Sequence, residues 1–132
     1  MRATRQDIDS SLRFDDPSLA DIIARTESLL TGHFCLLSGR HSDRFLRYST
    51  IGRDAKAARE IAQRLAARLP SLDSIVVPES AGLYLGGVLA NILNASLVVV
   101  GVDSRRRPTG QLRRGRIAAG AKVLAVNDIA TS

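Results

Sequence analysis

Three short apolar runs, Ser74 to Val77, Ser96 to Val102 and Val123 to Val126, constrain the fold of this chain more than any other feature. None alternates polar with apolar residues, and each is short for a helix, so each reads as a strand buried on both faces. Each also ends in a polar, turn-forming cluster: Pro78-Glu79-Ser80-Ala81-Gly82, then Asp103 through Gln111, then Asn127 through Ser132. Between the first two runs lies a small-residue segment of helical length, Leu83 to Leu93, with Gly86-Gly87 inside it. Strand, helix and strand in that order suggest a parallel crossover unit, and in open α/β sheets ligands lie just past the carboxyl ends of the strands. The three polar clusters are therefore expected to open on one side of one sheet.

The remaining segments fill in an α/β fold with a parallel core. Asp16 and Pro17 read as the N-cap and first residue of a helix, followed at helical spacing by Leu19, Ile22, Ile23, Thr26, Leu29 and Leu30, with Gly32 as its C-cap. His33 to Leu37 reads as a strand, Ser38-Gly39-Arg40 as a turn, and Arg44 to Ile51 as a half-exposed strand, giving a hairpin or a pair of edge strands. From Arg53 to Leu69 an Ala- and Leu-rich face (Ala57, Ala58, Ile61, Ala62, Leu65, Ala66, Leu69) marks a second helix, closed by Pro70. Leu112 to Ile117 is expected to return as a short strand pair before Gly120 turns the chain into the last run. Residues 1 to 14 are polar and unpatterned, a loose arm or a helical lead-in. An interior glycine costs a helix ~1 kcal/mol, so Gly86 and Gly87 are expected where the helix approaches sheet or ligand closely.

The 132 residues suit one domain, and its core of Leu, Ile, Val and Ala, with aromatics at 4%, suits parallel strands under Ala-rich helices. The net charge is +6, and all the basic residues but Lys56 and Lys122 are arginines. Arginine forks match phosphate oxygens, so a polyphosphate or nucleic-acid partner is open, as is a merely solvated arginine surface. Cys35 is the one cysteine, which removes intramolecular disulfides and multi-cysteine metal sites and reads as a buried, inert thiol. His33 and His41 lack metal-ligand spacing and read as structural or pocket-rim residues. The first residues form no apolar signal segment and no run reaches membrane-spanning length, so the cytoplasm is the default expectation.

The three clusters offer complementary chemistry. The first would place backbone N–H groups at a helix N-terminus, an anion cradle. The second carries Arg105, Arg106 and Arg107 on a loop expected to be mobile and able to close over that anion. The third offers an amide, a carboxylate and hydroxyls, suited to sugar hydroxyls. Together they suggest a phosphorylated sugar. No Gly-x-Gly-x-x-Gly follows a strand and no Gly-Lys-Ser/Thr loop is present, which counts against dinucleotide and P-loop readings.

In these residues the chain resembles the type I phosphoribosyltransferases, and specifically the orotate phosphoribosyltransferases. Val123 to Ser132 is similar to the family's PRPP motif. Thr31 to Phe45, with Ser38-Gly39-Arg40-His41-Ser42, resembles the orotate branch, and Pro78 to Gly82 looks like its pyrophosphate loop. The resemblance implies a parallel sheet flanked by helices, with an N-terminal helix and edge-strand hood, in a single domain whose C-terminal part lies beyond Ser132. It implies transfer of ribose 5-phosphate from PRPP to orotate, giving orotidine 5′-monophosphate and pyrophosphate, with Mg2+ brought by PRPP, in a homodimer. Carried onto this sequence, PRPP binding would fall to Glu79, Ser80, Ala81, Gly82, Asn127, Asp128, Thr131 and Ser132. Asp128 and one of Arg105, Arg106 and Arg107 would serve catalysis, and Phe45 and Thr131 would face the base. Asn127 stands where the family carries an acid, Leu37 where many members carry lysine, and the second loop holds only arginines. Two other readings remain open: a non-catalytic sensor of PRPP or a nucleotide, able to grip nucleic acid through its arginines, and a structural or dimerisation role.

Overall fold

The structure is a computed structural model that describes residues 1–2, 17–79 and 82–128. The chain forms two compact units, Met1–Ala57 and Ala58–Ser132.

In the first unit, helix α1 (Ser18–Thr26) buries Ala20, Ile22 and Ile23. Strands β1 (Leu29–Cys35) and β2 (His41–Leu46) pair antiparallel as a two-stranded sheet, as the hairpin reading expects. Leu29 and Leu46 pack with Ala20, Ala24 and Ile23 of α1. Helix α2 (Tyr48–Arg53) buries Tyr48 and Ile51. Met1 and Arg2 lie beside β1, with an isolated bridge between Arg2 and Leu30.

Three expectations change here. Leu29 and Leu30 continue the helical period in sequence, yet α1 ends at Thr26. Glu27 adopts the left-handed conformation (φ 50°), and the N–H groups of Glu27 and Ser28 close onto Ala24 and Ile23 carbonyls. The Thr26 hydroxyl donates back to Ile22 O at 2.7 Å, so the turn is tied off before Leu29. Tyr48 to Ile51 is helical, because Arg47 leaves the strand and its N–H donates to Ser28 O. Cys35 is exposed, on one face of a sheet of only two strands.

Helix α3 spans Ala55–Ala66, and Ala57, Ala58 and Ala62 on it are buried. The Asp54 carboxylate accepts the Ala57 N–H at 2.9 Å, a side-chain cap that starts the helix.

The second unit contains β3 (Ser74–Pro78), α4 (Leu83–Leu93), β4 (Ser96–Val102), β5 (Pro108–Arg114) and β6 (Val123–Ala125). Its sheet has the order β5-β4-β3-β6, with β4 and β6 parallel to β3 and β5 antiparallel to β4. Ile75, Val77 and Val98 are fully buried, as expected for a central parallel pair. Helix α4 packs on β3 and β4. A methyl at Gly86 would overlap Cγ1 of Val77, so this glycine permits the close helix-sheet approach; Gly87 faces open space and lacks that reason.

Asp73 ties the amino ends of three strands together. Its carbonyl accepts the Ser96 N–H, its carboxylate accepts the Lys122 N–H at 2.7 Å, and its own N–H donates to Lys122 O. Pro108 to Gln111, expected in a mobile loop, belong to β5. The connection shrinks to Asp103–Arg107, and β4 and β5 become a hairpin.

Candidate functional site

Because β3, β4 and β6 run parallel, their carboxyl ends lie on the same side of the sheet. The chain leaves β3 through α4 to reach β4 on one flank, while β6 lies on the other. A ligand crevice in an open α/β sheet forms outside such strand ends.

The loops after β3 and β6 touch. Gly82, buried and in the left-handed conformation at φ 76°, is the N-cap of α4. A Cβ built there would lie 3.0 Å from Val126 O and 3.3 Å from the Asn127 Cα. Only a residue without a side chain fits that gap and that φ together. Helix α4 has no side-chain cap and no acid in its first turn, and its opening bond runs from Gly86 N–H to Gly82 O at 2.7 Å. The first amides of a helix, here Leu83 to Leu85, lack intrahelical acceptors and carry the positive end of its dipole. An anion would be stabilised there, beside Asn127.

Asn127 and Asp128 follow β6 after Val126, whose N–H donates to Val76 O. The Asp128 N–H donates to Asn127 Oδ1 at 3.0 Å, which folds the amide side chain back on its own backbone. Asp128 is half-buried and Asn127 is exposed. Among the described residues no set of three or more His, Cys, Asp or Glu converges as metal ligands would. Ser80, Ala81, Thr131 and Ser132, expected in the same site, lie outside the described residues.

The loop after β4 is a clamped turn. Asp103 Oδ1 accepts the N–H groups of Arg105 and Arg107, both at 2.9 Å, and its Oδ2 takes Nε and a terminal nitrogen of Arg107 at 2.8 Å. The Arg107 backbone N–H, opposed by partial desolvation and reinforced by the Arg107 guanidinium and the Arg105 N–H, holds the Asp103 carboxyl below the ordinary carboxylate range. Arg107 is therefore committed to Asp103. Arg105 and Arg106 are exposed on the turn and make no ion pair among the described residues. Two interstrand spacings separate β4 from β6, about 10 Å.

Glu79 follows β3, its N–H bonded to Val100 O and its carboxylate 3.8 Å from Arg113 Nε. Gly101 makes room for that arginine: a Cβ there would stand 2.7 Å from Arg113 Nε. Phe45 lies in the first unit, its ring tilted against Phe34 at 5.5 Å between centroids. The structure thus joins Gly82 to Asn127 and adds Asp103 and Arg113, which the sequence reading passed over. Asp103 had a local signal, a carboxylate opening a turn; Arg113 had none, since its reach to Glu79 depends on the β4–β5 register.

The sheet order and helix placement are those of the type I phosphoribosyltransferase fold. The orotate phosphoribosyltransferase of Aeropyrum pernix superposes with a TM-score of 0.60 at 21% identity, covering 83% of this chain and 64% of that one. The adenine phosphoribosyltransferase of Trypanosoma brucei superposes at 0.59 and 16% identity, covering 89% and 57%. By sequence the chain is similar to orotate phosphoribosyltransferases: it is 39% identical to that of Sphingopyxis alaskensis over 126 residues, 89% of this chain. It spans about three-fifths of the length of the curated relatives it matches, 61% and 62% in two of them. No protein-family model matches the chain. Among the described residues no helix is long and apolar enough to cross a membrane.

Proposed function

We propose that this chain carries the PRPP-binding half of an orotate phosphoribosyltransferase, which transfers ribose 5-phosphate from PRPP to orotate and releases pyrophosphate. The observation that carries the reading is the contact of Gly82 with Val126 and Asn127 at the ends of two adjacent parallel strands. It brings the uncapped start of helix α4 against the backbone of Asn127, next in sequence to Asp128. Relatives named orotate phosphoribosyltransferase supply the choice of base.

In this reading the first amides of α4 hold the pyrophosphate, and Asp128 and Asn127 accept from or donate to the ribose hydroxyls. Cleavage at the anomeric carbon leaves a cationic sugar and a departing anion, so donors fixed on the anion lower the barrier. Arg105 or Arg106 supplies the mobile positive charge, because Arg107 is held by Asp103. Thr131 and Ser132 would begin the 5′-phosphate cradle, and Phe45 and Thr131 would face the base. Mg2+ would neutralise the phosphates when PRPP is bound. The donor set suits a hydrated ion carried by the substrate, with Asp128 as a single carboxylate at the end of β6. A homodimer in the cytoplasm completes the proposal.

The test is a titration of PRPP with Mg2+ into 15N-labelled protein. The expected amide shifts fall on Gly82 to Leu85 and on Asn127 and Asp128, and orotate added next should give orotidine 5′-monophosphate in the complete enzyme. Shifts absent from both segments at saturating PRPP would refute the placement.

A further inference from the structure

We propose that His33 and His41 form a two-imidazole site for a late first-row divalent transition-metal ion on the open face of the β1–β2 hairpin. The proposal is independent of the PRPP reading. Nε2 of His33 and Nδ1 of His41 face one another at 2.5 Å, with the rings stacked at 4.8 Å and 26°. Two imidazole nitrogens aimed at each other share what lies between them, either a proton or a cation.

The backbone creates this convergence. Cys35 pairs with His41 and Phe34 with Ser42, but the register slips between Thr31 and Phe34, where Gly32 and His33 sit. Continued regularly from Thr31–Arg44, the ladder would set His33 opposite Ser42, on the face away from His41. A bulge re-aims a side chain, and here it turns His33 across to His41. Gly32, at φ 154°, is part of the irregular segment.

Size and chemistry both fit a cation. Bonds of roughly 2.0–2.1 Å from a tetrahedral ion to two ring nitrogens set those nitrogens about 3.3 Å apart. The pair must open by about 0.8 Å from 2.5 Å, which two exposed side chains achieve by small ring rotations. Gly32, His33, His41, Ser42 and Asp43 line an open cleft of about 250 Å³ that leaves room for the ion and its waters. No third His, Cys, Asp or Glu converges with the pair among the described residues, so water completes the coordination. Neutral imidazole suits Cu2+, Ni2+ and Zn2+, whereas Mg2+ prefers oxygen donors.

The test uses the untagged chain at neutral pH, titrated separately with ZnCl2, NiCl2 and MgCl2 and followed by calorimetry and by histidine ring 1H–15N signals. One equivalent of Zn2+ or Ni2+ should bind, with shifts centred on both rings, and Mg2+ should produce neither heat nor shift. His33→Gln and His41→Gln should each abolish binding, and Cys35→Ser should retain it; in the Cys35→Ser protein Cu2+ should bind more tightly than Ni2+. The far-UV spectrum reports whether each variant is folded, and the ring shifts of the unmodified protein test the site without any substitution. Absent binding, binding that survives in either folded histidine variant, loss in folded Cys35→Ser, or an equal response to Mg2+ would overturn the proposal.

Discussion

Gly86 and Gly87 are neighbours in one helix with opposite reasons for being glycine. A methyl at Gly86 meets Val77, a fully buried, β-branched side chain that cannot rotate aside, while a methyl at Gly87 meets nothing. Gly86→Ala should therefore destabilise the protein by ~1–3 kcal/mol, the overpacking penalty exceeding the gain in helix propensity. Gly87→Ala should stabilise it by ~0.5–1 kcal/mol. Thermal and urea unfolding of the two variants will show whether the signs differ. Asp103 makes a second prediction. Its folded carboxyl titrates below its unfolded value, so its contribution to turn order is complete above the unfolded value and lost as pH falls through the folded one. A 13C titration should place this carboxyl below exposed aspartates, and Asp103→Ala should speed amide exchange at Arg105 and Arg107 while leaving β3 unchanged. Sequence reading reached the glycine pair but could not separate its members, because helical phase against a particular valine is a tertiary fact.

At the scale of elements, the parallel strands were the most legible features. A strand buried on both faces needs only apolar side chains, and Ser74 to Val77 and Ser96 to Val102 fall within β3 and β4 as observed. The end of α1 was not legible, since Leu29 and Leu30 keep the helical period and the left-handed stop falls on a glutamate. Strand pairing was hidden as well: nothing in Val123 to Val126 says that it lies against β3 and not beyond β4. Asp73 fixes that arrangement at the amino end. Asp73→Ala removes the acceptor for the Lys122 N–H and should cost ~1 kcal/mol, since the bond is charge-assisted but solvent-exposed. Hydrogen exchange should accelerate at Lys122 to Val126 more than in β4; uniform acceleration across the sheet would contradict the assigned role.

For the whole molecule, resemblance to the orotate phosphoribosyltransferases was legible in local motifs and runs over 126 residues of sequence, and the fold agrees with it. The candidate site was legible as three polar clusters on one side of a sheet, but not as a geometry. Only the order β5-β4-β3-β6 puts Gly82 against Asn127 and leaves the arginine turn two strands away. The paired histidines were illegible because the register slip that joins them leaves no pattern in composition or spacing. The contact at Gly82 has a thermodynamic consequence. In the proposed site, a ligand with an anionic end and a hydroxyl-bearing end, once held by either loop, would meet the other at a high effective concentration, because the packing at Gly82 fixes their separation. On the proposed function, two weak grips would become avidity within one molecule, and lengthening either loop should weaken binding by spreading the two grips apart.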